Sequence, residues 1–126
     1  MDDTVPESTP CRVLVVEDDP TAARSLYFLL THYGYEVQLA STVRDAIRLL
    51  DTRPQIVLLD LMLPDGNGTE VMKELELRSL NARVAVISAV MDAVMLRRVR
   101  TFRPEMVLPK PLNFLNLLES LRNDAA

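Results

Sequence analysis

The sequence is short of several things, and each shortage excludes something. In 126 residues there is one cysteine, Cys11, one histidine, His32, and two lysines, Lys73 and Lys110. A lone cysteine closes no internal disulfide, and one cysteine with one histidine makes no zinc cluster. The longest unbroken apolar run is Leu26 to Leu30, far below the ~20 residues of a membrane span. The N-terminus has neither a cationic start nor an apolar stretch, so no secretory signal is expected. Positive charge is also scarce. Fourteen basic residues against eighteen acidic ones leave a net charge of −4, which opposes nucleic-acid binding through a bulk basic surface. The glycines of Asp65-Gly66-Asn67-Gly68 lack the spacing of either glycine-rich phosphate-binding fingerprint. These absences predict a cytoplasmic protein with no membrane contact and no direct nucleic-acid contact of its own.

What is present is an ordinary globule. The chain is 48% hydrophobic and 25% charged, and its length suits one domain that buries roughly two-thirds of its unfolded surface. Residues 1–10 (MDDTVPESTP) show no hydrophobic period and read as a disordered tail. Residues 11–123 carry the domain, and 124–126 a short tail or the start of a linker.

Within the domain, short apolar runs alternate with helical patterns. VLVV (13–16), IVLL (56–59) and VAVI (84–87) suit strands buried on both faces of a parallel sheet. Glu36–Ala40 alternates like a strand nearer the sheet edge, and Glu105–Leu108 reads as a short fifth strand. Between them lie helical patterns. Pro20 follows the cap Asp19, with Ala22, Leu26, Leu29, Leu30 and Tyr33 at helical spacing and Gly34 as the stop. Ser41 or Thr42 caps a helix with Val43, Ala46, Ile47 and Leu50. The loop 64–68 opens a third helix bearing Val71, Met72 and Leu75. A fourth helix spans about 91–102, and Asn113 caps a fifth carrying Phe114, Leu115, Leu117, Leu118 and Leu121. Five strands and five helices in β-α order predict a doubly wound α/β fold with a parallel sheet and right-handed crossovers.

Four of the five strands deliver a polar group at their exits: Glu17 and Asp18, then Asp60, Ser88 and Lys110. Singly, each has a bland reading as a cap, turn or surface charge. Together they converge on the carboxyl edge of the sheet, where open α/β folds bind ligands. Two like charges ~5 Å apart repel by about 3 kcal/mol at an effective dielectric near 20. Three carboxylates therefore call for a cation, and an all-oxygen ligand set suits Mg²⁺ or Mn²⁺. Lys110 adds positive charge for an anion and Ser88 a hydrogen-bond donor. The pattern suits placing a phosphoryl group on a carboxylate.

VLVVEDDP (13–20), IVLLDLMLPDGNG (56–68), VAVISA (84–89) and LPKP (108–111) together resemble the receiver domain of two-component response regulators, of the chemotaxis-regulator type. The resemblance implies a flavodoxin-like (βα)5 fold with strand order 2-1-3-4-5. The first and last helices then lie on one face and the middle three on the other. It implies Asp60 as the phosphoacceptor, fed by a sensor histidine kinase or a histidine phosphotransfer protein. It further implies Asp18 as a direct metal ligand, Glu17 as an acid acting through water, and the Met62 backbone carbonyl as another ligand. Ser88 becomes the switch hydroxyl, Lys110 its phosphate-binding partner, and Lys110-Pro111 a cis peptide. Where receivers commonly carry an aromatic residue, three positions before the lysine, this chain has Val107. The switch signal is therefore expected to pass through Ser88 into the fourth helix, with Met91, Met95, Arg98 and Val107 as an output surface. A homodimer through the fourth helix, fifth strand and fifth helix is one form that output takes.

The alternative is a Mg²⁺-dependent phosphohydrolase with an aspartyl-phosphate intermediate. Haloacid-dehalogenase-type enzymes carry a second Asp two residues after the nucleophile, and that position here is Met62. The expectation is a slowly resetting switch, not a turnover enzyme. His32 reads as a helix-end charge and Cys11 as an inert, half-buried thiol.

Overall fold

The computed structural model describes residues 9–89 and 92–122. Most of the expected N-terminal tail, all of 124–126, and Met91 lie outside the described residues. The elements follow in the order β1 (Arg12–Val16), α1 (Pro20–His32), β2 (Glu36–Ala40), α2 (Val43–Leu49), β3 (Ile56–Asp60), β4 (Met62–Leu63), β5 (Gly66–Asn67), α3 (Thr69–Leu77), β6 (Arg83–Ser88), α4 (Ala93–Arg100), β7 (Met106–Pro109) and α5 (Phe114–Arg122).

The main sheet is ordered β2-β1-β3-β6-β7, and every pairing in it is parallel. Counting only its five strands, this is the expected 2-1-3-4-5 order. The three inner strands are buried almost throughout, while β2 and β7 are only partly covered. That difference explains why the inner strands need continuous apolar runs and β2 can alternate. Successive side chains leave a strand on opposite faces. Leu14, Val16, Val57, Leu59 and Val86 accordingly meet α2, α3 and α4 on one side. Val13, Val15, Ile56, Leu58 and Ile87 meet α1 and α5 on the other. The helices take the faces that the alternation and the resemblance imply.

The helix starts are capped as the residue types dictate. Asp19 Oδ2 accepts from the Ala22 N–H at 3.0 Å with Pro20 in the first turn. Thr42, Asp92 and Asn113 accept from the third residue beyond them at 3.0, 2.8 and 3.0 Å. Three apolar residues expected inside are not. Tyr33 is 50% exposed, Phe114 39% and Leu115 71%. In α1 the buried stripe is Ala23, Leu26 and Leu30, and in α5 it is Leu117, Leu118 and Leu121. Tyr33 follows the last residue of α1, Phe114 opens α5, and Leu115 falls off the buried stripe of its helix.

The segment after β3, expected as a plain loop, holds an antiparallel two-residue hairpin, with Met62 paired to Asn67 and Leu63 to Gly66. It stands outside the main sheet. From its turn, the Asp65 carboxylate accepts hydrogen bonds from the Val43 N–H at 2.7 Å and the Arg44 N–H at 3.0 Å. These are free donors at the start of α2, so the loop following the β3 acid holds the end of a helix two elements away. The two backbone hydrogen bonds hold the Asp65 carboxyl below its ordinary value of 3.8.

Helices α1 and α3 end in the same way, with different residues in the left-handed position. After α1, Gly34 (φ 93°) bonds Thr31 O and Tyr35 bonds Leu30 O, each at 3.0 Å. After α3, Ser79 (φ 54°) bonds Glu76 O and Leu80 bonds Leu75 O, again at 3.0 Å. Both are Schellman closures. The left-handed conformation costs a non-glycine residue about 1–2 kcal/mol, of which glycine's extra unfolded-state freedom returns about 0.5–1 kcal/mol. Ser79→Gly should therefore raise unfolding stability by about 0.5–1 kcal/mol and Gly34→Ser lower it, read by urea denaturation. A carboxyl with a lowered folded pKa contributes stability above its unfolded value and loses it as pH falls through the folded one. Asp65→Ala should thus destabilise the protein at pH 6, and the gap to wild type should close as pH falls below 3.8 in thermal melts.

Candidate functional site

The register of the sheet assembles the site. Val16 pairs with Leu59, so Glu17 and Asp18 emerge from β1 beside Asp60 at the end of β3. Asp60 pairs with Ile87, and Ser88 pairs with Pro109, directly before Lys110. The backbone continues this ladder, with Lys110 N–H donating to Ser88 O at 3.1 Å. Four parallel strands thus present their exit residues along one edge. A slip of one residue in any strand would remove its contribution.

Glu17, Asp60 and Ser88 are buried, and Asp18 is exposed at the rim. One carboxylate oxygen from each of Glu17, Asp18 and Asp60 lies within 4.8 Å of the others, so the three could hold a metal ion. All are hard oxygen donors, which fits Mg²⁺ or Mn²⁺ and not a soft, thiolate-seeking metal. The Lys110 ammonium donates to Glu17 Oε1 and to Asp60 Oδ2, each at 2.9 Å. Burial on its own would push the Lys110 pKa down. The hydrogen bonds to Asp60 and Glu17 outweigh it and hold the pKa above the ordinary 10.5. The remaining carboxylate oxygens are also occupied. Glu17 Oε2 accepts from the Asp19 N–H at 3.0 Å, and Asp60 Oδ1 from the Met62 N–H at 3.1 Å. Both buried carboxylates are therefore fixed in orientation, as a buried charge must be.

The structure brings Glu17, Asp18, Asp60 and Lys110 into one cluster and sets Ser88 in the adjoining strand. Met62 meets Asp60 through its backbone, and its side chain points out, 67% exposed. The Lys110-Pro111 peptide is cis. Val107 and Met95 are half-buried against the α2–α4 side of the sheet, whereas Met106 packs on the other side. The Asn67 side-chain amide donates to Met95 Sδ at 3.8 Å, which ties the hairpin to α4. Arg98 is exposed. His32 is exposed and meets Tyr33 edge-on at 5.0 Å, away from the cluster.

Gly68 is a residue that sequence reasoning treated only as a turn former. A Cβ at this position would lie 2.5 Å from the Asp60 carbonyl oxygen and 3.0 Å from Leu61 Cα. Its N–H also donates to Leu61 O at 2.8 Å. Its φ of −59° is open to any residue, so space alone demands glycine. The signal in the sequence was a glycine eight residues after a strand-end acid, and its reason is visible only in three dimensions.

No helix among the described residues is long and apolar enough to cross a membrane. Residues 13–122 match the family model described as the response regulator receiver domain. The chain is 36% identical over 116 residues to response regulator MprA of Mycolicibacterium vanbaalenii, covering 90% of this chain and 49% of that protein. It is 43% identical over 82 residues to transcriptional regulatory protein KdpE of Mycobacterium tuberculosis, covering 64% and 36%. The chain spans about half or less of the length of such curated relatives. Among solved structures it is similar to a CheY-like response regulator receiver domain protein from Methanospirillum hungatei, with TM-score 0.85, 26% identity and coverage of 90% and 92%. The acidic edge, the parallel sheet that builds it and these likenesses together place the chain in the receiver domain family of two-component response regulators.

Proposed function

We propose that this chain is a phosphoacceptor switch in which Asp60 takes a phosphoryl group from the phosphohistidine of a sensor histidine kinase or histidine phosphotransfer protein. The observation that carries the reading is the Lys110 ammonium, 2.9 Å from both Asp60 and Glu17 beside a carboxylate cluster able to hold a divalent ion. Family membership implies a histidine-kinase partner.

In the transfer, an Asp60 carboxylate oxygen attacks phosphorus. The new O–P bond forms as the N–P bond of phosphohistidine breaks, and the imidazole leaves with the electron pair. Asp18 and Asp60 would hold Mg²⁺ directly, Met62 through its carbonyl and Glu17 through water. When bound, that ion offsets charge on the phosphoryl oxygens. Lys110 supplies a second positive charge for the same oxygens and is already positioned before the donor arrives. Ser88 offers its hydroxyl to a phosphoryl oxygen. Its movement then shifts α4, with Met95, Arg98 and Val107 on the path. The bound phosphoryl group acts as a ligand that favours one of two packings. Met62 places no acid two residues after the nucleophile, so the acyl phosphate decays slowly.

Incubation with radiolabelled acetyl phosphate and Mg²⁺ tests this. Wild type should gain one slowly decaying label per chain, and Asp60→Asn none. Asp18→Asn should label at least tenfold more slowly. Continuous release of phosphate, or full labelling of Asp60→Asn, would defeat the reading. Gly68→Ala should slow labelling while destabilising the fold by about 1–3 kcal/mol, because the added methyl presses on the Asp60 backbone.

A further inference from the structure

One strand further out than Asp60, the surface opens into a cleft of about 670 Å³, whose lining includes Asp18, Arg24, Tyr27, Phe28, Leu39 and Ser41. The sheet order explains its place. β2 is an edge strand outside β1, and α1 and α2 pack on opposite faces of the sheet. The corner between α1 and the β2–α2 connection is therefore left open. Its volume falls within the about 300–1,000 Å³ typical of small-molecule sites.

The apolar part of this lining faces solvent. Tyr27 is 37% exposed, Phe28 62% and Leu39 42%. The two rings meet edge-on at 5.7 Å, a geometry that a third ring can extend. The charges beside them are unevenly used. Glu17 and Asp60 share Lys110, and Asp45, also on the cleft, faces Arg48 at 3.6 Å. Among the described residues, the side chains of Asp18 and Arg24 make no hydrogen bond or ion pair. Both are exposed and line the same cleft without pairing with each other. Arg24 stands four residues before Phe28 on α1, the spacing that makes helical side chains neighbours. One carboxylate and one guanidinium thus remain without partners around an aromatic wall.

We propose that this cleft binds a free α-amino acid with an aromatic side chain, its ammonium on Asp18, its carboxylate on Arg24 and its ring against Tyr27, Phe28 and Leu39. The charge count selects the zwitterion. An organic cation covering the cleft would leave Arg24 desolvated without a partner, and an organic anion would do the same to Asp18. A guanidinium also takes a carboxylate bidentately, which fixes the orientation of a small ligand. Asp18 is at the same time the acid assigned to the divalent ion. The amino acid and Mg²⁺ therefore compete, and each weakens the other by the same factor. This control of metal loading rests on the switch reading, whereas the binding itself does not.

The test titrates the isotope-labelled full chain, free of metal, and follows its amide NMR signals. The probes are L-phenylalanine and three relatives that each lack one group: phenylethylamine without the carboxylate, phenylpropionate without the ammonium, and glycine without the ring. Phenylalanine should bind saturably and move the signals of Arg24, Phe28 and Ser41, and each relative should bind at least fivefold more weakly. Asp18→Asn and Arg24→Gln should each weaken phenylalanine at least fivefold, and Phe28→Ser at least threefold. Leu115→Ser, an exposed apolar site on α5, should change it less than twofold. Magnesium should weaken wild-type binding at least threefold. Without phenylalanine, labelling of Asp60 from acetyl phosphate should be unchanged in Arg24→Gln and Phe28→Ser, so loss of binding with normal labelling isolates the cleft. Failure of Mg²⁺ to bind the ligand-free chain would defeat the metal reading and leave the phenylalanine result intact. The proposal is overturned if phenylalanine does not bind, if any of the three relatives binds as tightly, or if bound Mg²⁺ leaves its affinity unchanged. It is equally overturned if sedimentation shows a dimer that Phe28→Ser dissolves, since the cleft would then be covered by a second copy.

Discussion

Crowding of negative charge at one edge of the sheet is the constraint around which this molecule is organised. A parallel sheet sends every strand out in the same direction, so residues at strand exits cannot avoid one another. Here those exits carry Glu17, Asp18 and Asp60 within 4.8 Å, a separation at which each pair repels by about 3 kcal/mol at a dielectric near 20. Lys110 resolves much of that conflict by bonding two of the three acids at once. The third, Asp18, sits at the rim where water screens it. An arrangement of this kind is poised to accept a divalent cation, or an anion delivered together with one.

The segment between β3 and α3 works as a junction. Its first residues fix Asp60 through the Met62 N–H, its turn holds the start of α2 through Asp65, and its end touches α4 through Asn67. Gly68 lets it fold back until the chain lies against the Asp60 carbonyl. A disturbance at the carboxylate therefore has short, polar routes to two helices. These contacts are few and lie near the surface, whereas the apolar layers beneath them are tightly buried. Local movement at the edge need not loosen the core.

Much of this was legible in the residues. Continuous apolar runs announced the inner strands, because only a sheet covered on both faces tolerates them. The exit positions of Glu17, Asp18, Asp60, Ser88 and Lys110 followed from where each run stopped. Gly34 announced the end of α1 because glycine is the usual left-handed residue there. Ser79 gave no such notice, although it closes α3 by the same bonds. The β4–β5 hairpin was too short for any periodicity to reveal. Helical spacing identified the inner faces of α1 and α5 but not their exact ends and edges, so Tyr33, Phe114 and Leu115 were placed too deep. The pairing of Lys110 with Glu17, and the crowding at Gly68, arise from the sheet register and exist only after folding.

The reach of Lys110 has a temporal side. Its two partners lie 50 and 93 residues earlier in the chain. During synthesis the acids of β1 and β3 leave the ribosome well before the ammonium that offsets them, and β7, which delivers it, forms the outer edge of the sheet. Non-local strand pairing of this kind is also the slow part of folding. A chain interrupted anywhere through α4 would hold all three carboxylates without their counter-charge and without the strand that positions it. The charge balance of this edge is thus completed only when β7 has joined the sheet, late in synthesis, and a chain cut short before it is electrostatically unbalanced.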